Sequence, residues 1–178
     1  MKIIQTKLKD CLIFEPEVFK DERGFFLETY RQNKYKSLIG KNNIFLQDNH
    51  SRSYKNVLRG LHYQKNFPQG KLVRVILGEV FDVAVDLRKH SPSYMNWIGV
   101  RLSETNKKQL WIPPGFAHGF LTISEYADFE YKCTEYYKPD DEGCIIWNDP
   151  HLSIDWPVKK PILSEKDSNA PNISILDL

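Results

Sequence analysis

The chain has 178 residues, of which 41% are apolar and 27% charged, and its formal net charge is +2 at pH 7. This size and balance predict a single globular domain spanning residues 1–178. The small net charge and the lack of a dominant Lys/Arg block exclude a general nucleic-acid binder. No apolar run approaches the ~20 residues of a membrane helix, and the polar N-terminus does not resemble a signal peptide, so we expect a cytoplasmic protein without a membrane partner.

Short segments rich in β-branched and aromatic residues recur along the chain, separated by Gly, Pro, Asn and Asp. This spacing predicts an all-β sandwich or barrel. Helical patterning is weak: a short helix is expected around 32–38 and a turn near 104–107. The predicted strands are, in chain order, 12–14, 24–30, 44–46, 72–77, 80–87, 109–112, 117–123 and 129–135.

Two of the predicted strands carry polar groups in an apolar pattern. Residues 79–87 place apolar side chains on one face and Asp82 and Asp86 on the other. That second face therefore meets either solvent or a wet cavity. In a later strand, Phe129 and Tyr131 share a face, which indicates a pocket or the core.

The C-terminal segment, residues 157–178, has several prolines and few apolar runs. It is predicted to be a tail that packs on the domain, with a helix cap at Ser164.

The chain contains three cysteines, Cys11, Cys133 and Cys144, without the short spacing of a metal site. An odd number of cysteines in this pattern predicts reduced thiols in a reducing compartment.

Three polar residues that could take part in catalysis or binding lie close together in the sequence, around one bend predicted from glycine. Arg59, His62 and Lys71 each stand in or beside strand-like apolar residues. A histidine beside a strand is often purely structural, and a lone Lys or Arg is often solvated. The grouping of all three favours a functional site.

A second stretch spaces Pro113, Gly115 and His118 as P-x-G-x-x-H. Alone it indicates only a turn with a histidine nearby. Together with the first stretch it resembles the two motifs of the cupin superfamily, which implies a jelly-roll or β-barrel fold with short peripheral helices.

The chain departs from metal-binding cupins at the positions of their ligands. Those proteins carry His-x-His and a Glu six residues before a Gly, whereas this chain has Gln64 two residues after His62 and Lys71 before Gly78. A protonated Lys offers no lone pair and repels a cation. His62 and His118 alone are a poor site for Zn²⁺ or Fe²⁺, so we predict no metal.

Almost the whole chain resembles the dTDP-4-dehydrorhamnose 3,5-epimerase family. Ten matching stretches occur in the expected order. They are FKDERGFFLETY (19–30), QDNHS (47–51), VLRGLHYQ (57–64), QGKLVRV (69–75), GEVFDVAVDLRKHSPSY (78–94), QLWIPPGFAHGF (109–120), YKCTEYY (131–137), IIWNDP (145–150), IDWP (154–157) and PILSEKD (161–167).

The resemblance implies four catalytic roles. His62 matches the family's base, Tyr131 its acid, and Asp167 the carboxylate that orients the histidine. Lys71 matches the lysine beside the C4 oxygen of the substrate. Without the resemblance, Tyr131 would be taken as a core residue and Asp167 as a helix cap.

The resemblance also implies a set of residues that bind the nucleotide and sugar. It further implies a homodimer built by strand exchange, in which residues 23–28 serve the partner's site. The binding positions are Arg23, Phe26, Glu28, Gln47, Asp48, Asn49, Arg59, His118, Tyr137, Glu142 and Lys166. Phe26 and Tyr137 are interpreted either as core residues or as rings that stack on the thymine or sugar.

The implied substrate is dTDP-4-dehydro-6-deoxy-D-glucose, whose C4 ketone acidifies the protons on C3 and C5. Inversion of both centres needs a base, an acid on the opposite face and a donor for the enolate oxygen. No cofactor is required. The alternatives are an epimerase of one centre, action on a different nucleotide sugar, a metal-dependent cupin and a non-catalytic sugar-binding cupin.

Overall fold

The computed structural model describes residues 1–175, which confirm the predicted all-β class. The strands are β1 (Lys2–Gln5), β2 (Leu12–Glu15), β3 (Val18–Asp21), β4 (Gly24–Leu27), β5 (Gln47–Tyr54), β6 (Leu58–Gln64), β7 (Lys71–Leu77), β8 (Glu79–Asp86), β9 (Trp97–Ser103), β10 (Gln109–Ile112), β11 (Phe116–Thr122), β12 (Tyr126–Cys133) and β13 (Glu142–Cys144). The helices in this part are α1 (Gln32–Ile39) and α2 (Glu165–Ser168), with 3₁₀ turns at Pro139–Asp141 and Ile173–Ile175.

The strands form two large sheets and a separate hairpin. One sheet has the order β1-β2-β10-β7-β12-β5, and the other has the order β13-β6-β11-β8-β9. Strands β3 and β4 pair only with each other. Two mostly antiparallel sheets with crossover connections form the cupin-like sandwich that the sequence predicts.

Three apolar clusters hold these layers together. The first lies between the sheets and includes Val73 and Phe129 from one sheet and Ala84 from the other. The second covers the outer face of the five-stranded sheet with Trp156 and with side chains of the C-terminal segment, such as Ile173. The third packs α1 through Tyr35 against the outer face of the six-stranded sheet. The C-terminal segment and α1 thus cover much of the outer faces of the two sheets, while the inner faces pack against each other around a cavity.

The predicted strand at 44–46 is wrong, and the strand lies directly after it. Ile44 and Leu46 are exposed and belong to a loop. The polar residues 47–54 form β5 instead, paired along its whole length with β12. The backbone ladder to β12 stabilises this edge strand without an apolar pattern in its side chains.

A bulge between β6 and β11 redirects the side chains of β6. The pairing of these strands shifts register between His118 and Phe120. Opposite this point Gly60 has a φ of 125°, and a Cβ there would lie 2.5 Å from the Cα of Gly119. Only glycine fits, as expected where a bulge brings two backbones together.

Two smaller predictions of local structure are also confirmed. Helix α1 covers the segment predicted at 32–38, and Ser164 caps α2 by accepting a hydrogen bond from the backbone N–H of Asp167. The described cysteines are all free and buried. No helix within residues 1–175 is long and apolar enough to cross a membrane. Residues 176–178 of the predicted C-terminal tail lie outside the described part.

Candidate active site

A cavity of about 190 Å³ lies between the inner faces of the two sheets. The six-stranded sheet contributes Ser51, Lys71, Phe129 and Tyr131, and the five-stranded sheet contributes Arg59, His62, Gly119, His118 and Phe120. In a regular strand residues 59 and 62 would point to opposite faces. The bulge at Gly60 lets both side chains reach the same cavity. Five of the predicted site residues (Arg59, His62, Lys71, His118 and Tyr131) therefore meet at one place.

His62 and Asp167 form a hydrogen-bonded pair at the wall of this cavity. His62 Nε2 lies 2.6 Å from Asp167 Oδ1, although the residues are 105 positions apart. The Asp167 carboxylate is buried, which by itself would raise its pKa, but the hydrogen bond and charge of His62 lower the pKa below the ordinary value. Asp167 is therefore an anion that fixes the imidazole ring and leaves Nδ1 free to take a proton.

Helix α2 brings Asp167 to this position. Ser164 Oγ accepts a hydrogen bond of 3.1 Å from the Asp167 backbone N–H. The backbone N–H of Gly60 lies 3.5 Å from Asp167 Oδ2 and donates to it. The cap and the β6 bulge thus hold the same carboxylate from two sides.

A second group of charged residues lies beside His62. Glu142 Oε1 is 3.9 Å from His62 Nδ1, and Glu142 also pairs with Lys166. Tyr137 donates its hydroxyl hydrogen bond to Glu142 at 2.8 Å, while its backbone N–H donates to Gln47. Burial would raise the pKa of Glu142, but Lys166, Tyr137 and His62 lower it below the ordinary range. Glu142, Lys166, Tyr137 and Gln47 therefore form one connected network next to the cavity.

Lys71 and Tyr131 face the cavity in unusual electrostatic environments. Burial lowers the pKa of Lys71, against the opposite effect of Cys133, Glu142 and Asp82. Burial also raises the pKa of Tyr131 to about 12, with Cys133 adding to the effect and Arg59 opposing it. The phenol consequently keeps its proton at neutral pH and is available to give that proton to a substrate.

His118 belongs to a second histidine–carboxylate pair. Its Nε2 lies 2.9 Å from Asp82 Oδ2, and both side chains are buried. Burial lowers the pKa of His118, as do the charges of Lys71 and His62, while Asp82 opposes them. Asp82 was not among the predicted site residues. Its only sequence signal is its place on the polar face of β8. At this position that face turns away from solvent, since Asp82 is fully buried beside His118.

Arg59 and Asn49 are held by neutral neighbours. Arg59 Nε donates a 2.9 Å hydrogen bond to Ser53 Oγ. Asn49 lies on the inner side of β5, opposite Tyr131 in the sheet, and contacts the Cys133 sulfur at 3.7 Å. The side chains of Arg59 and Asn49 therefore both lie between the two sheets, in the layer that contains the cavity.

Four of the predicted binding residues do not meet at the cavity. Asp48 points to the outer face of β5, where it forms an ion pair with Lys132. Arg23, Phe26 and Glu28 lie on or next to the β3–β4 hairpin, and Arg23 pairs with Asp21. Strand alternation explains Asp48, since its neighbours Gln47 and Asn49 occupy the inner face.

The donor groups around His62 do not suit a metal ion. Within residues 1–175, His62, Cys144 and Asp167 offer ligand atoms within 4.8 Å of one another. Burial and the charge of Asp167 raise the pKa of the Cys144 thiol to about 12, so it remains protonated and a poor ligand. His62 Nε2 is already bonded to Asp167. The chemistry of these donors therefore favours a proton-transfer pair over a metal centre.

Fold and site together define a class of protein: a cupin-like sandwich whose cavity carries a histidine–carboxylate pair on one wall and a protonated tyrosine on the other. A family model described as dTDP-4-dehydrorhamnose 3,5-epimerase matches residues 5–174. The chain is 60% identical over 173 residues to the dTDP-4-dehydrorhamnose 3,5-epimerase of Salmonella typhimurium, covering 96% of this chain and 94% of that relative. This chain therefore belongs to the dTDP-4-dehydrorhamnose 3,5-epimerase family.

Two further comparisons bear on the site. The crystal structure of dTDP-6-deoxy-D-glucose-3,5-epimerase from Legionella pneumophila, in complex with dTDP-4-keto-L-rhamnose, is similar with a TM-score of 0.96 and 52% identity. The match covers 99% of this chain and 94% of that chain. The dTDP-4-dehydrorhamnose 3-epimerase of Streptomyces niveus is 39% identical over 156 residues, covering 87% of this chain and 75% of the relative.

Proposed function

We propose that the chain is an isomerase that inverts C3 and C5 of dTDP-4-dehydro-6-deoxy-D-glucose to give dTDP-4-dehydro-L-rhamnose, a step of dTDP-L-rhamnose synthesis. One observation carries the proposal. His62, with its Asp167 partner, and the protonated Tyr131 line the same cavity from opposite sheets, with Lys71 beside them. Membership of the epimerase family gives these groups a shared purpose.

His62 is the proposed base. The C4 ketone acidifies the hydrogens on C3 and C5, so a neutral imidazole can remove either as a proton. Asp167 stabilises the imidazolium that forms, through the 2.6 Å contact with Nε2. The proton is accepted on Nδ1, the ring nitrogen that Asp167 leaves free.

Tyr131 is the proposed acid. Its phenol returns a proton to the carbon on the face opposite His62, and this completes the inversion. The charge of Arg59, which lowers the pKa of Tyr131 against the effect of burial, stabilises the phenolate left behind.

Lys71 is the proposed donor to the C4 oxygen. Its ammonium stabilises the enolate that forms when the carbon-bound proton leaves. Fixed donors at a developing oxyanion typically contribute about 3 kcal/mol to the transition state. The scheme requires no redox cofactor, since each step is a proton transfer, and it requires no metal, since the Lys71 ammonium supplies the positive charge at the C4 oxygen.

The remaining predicted residues are proposed to bind the substrate. Arg59, His118, Asn49 and Gln47 face the cavity layer and are suited to the diphosphate and sugar, with Glu142, Lys166 and the Tyr137 ring beside His62. Arg23, Phe26 and Glu28 lie away from the cavity, and we assign their contacts to the nucleotide of a neighbouring subunit's site. Asp48 pairs with Lys132 on the outer face of β5, and we assign it no contact with the substrate.

We propose a cytoplasmic homodimer in which residues 1–178 form one domain, without nucleic-acid or membrane partners. The β3–β4 hairpin supports the assembly, since Phe19, Phe25 and Phe26 on it are 56%, 55% and 68% exposed. A cluster of exposed aromatic rings is typical of an interaction surface. The free thiols agree with a reducing compartment.

The test is the stereochemistry of the product. The protein is incubated with dTDP-4-dehydro-6-deoxyglucose, the ketone is reduced with borohydride, and the trapped sugars are identified by NMR. The proposal predicts sugars inverted at both C3 and C5. Inversion at C3 alone would move the protein to the single-centre class, and recovery of only gluco- and galacto-configured sugars would overturn the epimerase assignment.

A further inference from the structure

Strand β5 presents a row of four polar side chains to the interior. Gln47, Asn49, Ser51 and Ser53 alternate onto the inner face, opposite the inner residues of β12. Gln47 donates to Asn49, Asn49 contacts the Cys133 sulfur, and Ser53 accepts from Arg59. Gln47, Asn49 and Ser53 therefore each have a hydrogen-bond partner within the protein.

Ser51 differs from the other three. Its Oγ is buried, and among the described residues it has no hydrogen-bond partner. It is also the member of the row that lines the cavity with His62, Lys71 and Tyr131. A buried hydroxyl without a partner costs free energy in the folded protein. A hydroxyl in this position that faces a binding cavity is best explained by a partner on the ligand.

We propose that Ser51 is a specificity-determining residue whose hydroxyl bonds the C2 hydroxyl of the sugar. This inference rests on the proposed function. In that scheme His62 and Tyr131 act at C3 and C5, and Lys71 binds the C4 oxygen. The C2 hydroxyl is then the ring hydroxyl on a carbon that does not react, so a contact to it holds through both inversions.

The consequence for recognition is a preference against 2-deoxy sugars. A site that supplies a buried hydrogen-bond partner rejects an analogue lacking the matching group, because the partner is then left unsatisfied. The Ser51 hydroxyl would thus discriminate 2-hydroxy from 2-deoxy forms of the same nucleotide sugar.

The test compares two ligands with three proteins. Wild type, Ser51→Ala and Thr122→Val are titrated calorimetrically with dTDP-glucose and dTDP-2-deoxyglucose. Thr122 is a matched control. Within residues 1–175 its Oγ1 is likewise buried without a hydrogen-bond partner, but Thr122 does not line this cavity. Wild type and Thr122→Val are expected to bind dTDP-glucose about 5- to 10-fold more tightly than Ser51→Ala does, and all three proteins should bind the 2-deoxy sugar within about twofold.

The outcomes separate this inference from the proposed function. If wild type and Ser51→Ala bind dTDP-glucose with equal affinity, Ser51 makes no contact with the sugar and the inference is wrong. If Ser51→Ala weakens binding of the 2-deoxy ligand as much as binding of dTDP-glucose, the contact is not to the C2 hydroxyl. Neither ligand has a ketone, so binding is measured without turnover, and a failure of catalysis with the 4-keto sugar would count only against the proposed function.

Discussion

Lys71 is a cation in a cavity that disfavours its charge. Burial lowers its pKa, and the neighbouring acidic groups do not restore the ordinary value. Such an arrangement costs stability and is kept where the charge has a task, here at the C4 oxygen of the proposed substrate. Activity and stability should therefore respond in opposite directions when the charge is removed.

Replacement of Lys71 by methionine tests this trade-off. We expect Lys71→Met to lose about 100- to 1000-fold in kcat yet to unfold at a higher urea concentration than wild type at pH 7. The folded-state pKa lies below the unfolded one, so the ammonium destabilises the folded protein at any pH below the folded value. This penalty fades as the pH rises to about 10, the ordinary lysine value, and the two unfolding midpoints should converge there.

Lys132→Met is the control for this comparison. Lys132 lies on the neighbouring strand and pairs with Asp48 on the outer face of the sheet. It should change both activity and the unfolding midpoint little, as is usual for exposed ion pairs. A Lys71→Met protein that is less stable than wild type at pH 7 would contradict the account.

At the scale of single elements, the strands that build the site were the hardest to predict. Strand β5 reads QDNHSRSY, with no apolar alternation, because its inner face lines a wet cavity and its outer face meets solvent. The apolar residues 44–46 just before it drew the prediction to the wrong segment. The β6 bulge was equally hidden, since only the approach of Gly119 reveals why Gly60 must be a glycine. The alternation of apolar and polar residues predicts regular strands that cover a core. It fails for strands such as β5 and β6, which contribute to a functional site.

The exposed β3–β4 hairpin is the element that we propose links the site to assembly. Arg23 and Phe26 on it do not reach the cavity of their own chain. If they serve a partner's site, two inactive variants should complement each other. We expect Arg23→Ala and His62→Ala to be inactive separately and to regain about a quarter of wild-type activity when refolded together in equal amounts, because half of the dimers are mixed and each has one intact site.

A matched pair of variants makes this test specific. Lys71→Ala mixed with His62→Ala should not regain activity, since both residues belong to the same cavity. Recovery in that second mixture, or none in the first, would contradict the assignment of the hairpin to the partner's site.

At the scale of the whole molecule, the distance in sequence hides the His62–Asp167 pair that we propose is catalytic. Asp167 is brought to His62 by the C-terminal segment, which Trp156 and Ile173 pack against the outer face of the five-stranded sheet. Composition predicted only a tail that covers the domain. Its catalytic residue was expected from family resemblance, because no local pattern connects positions 62 and 167.

The sandwich explains why one cavity can invert a carbon centre. His62 lies on the five-stranded sheet and Tyr131 on the six-stranded sheet, so the proposed base and the proposed acid come from opposite walls. Inversion needs this opposition, since the proton must leave one face of the ring and return to the other. We therefore expect proton transfer at C3 and C5 to depend on His62, and inversion to depend on Tyr131 as well.

The most direct test is turnover of dTDP-4-dehydro-6-deoxyglucose in D₂O, followed by NMR at C3 and C5 for wild type, His62→Ala and Tyr131→Phe. The account predicts deuterium at both carbons with wild type and none with His62→Ala. With Tyr131→Phe it predicts exchange without an inverted product, because the base remains but the opposite donor is lost. Exchange in His62→Ala at the wild-type rate would contradict the account.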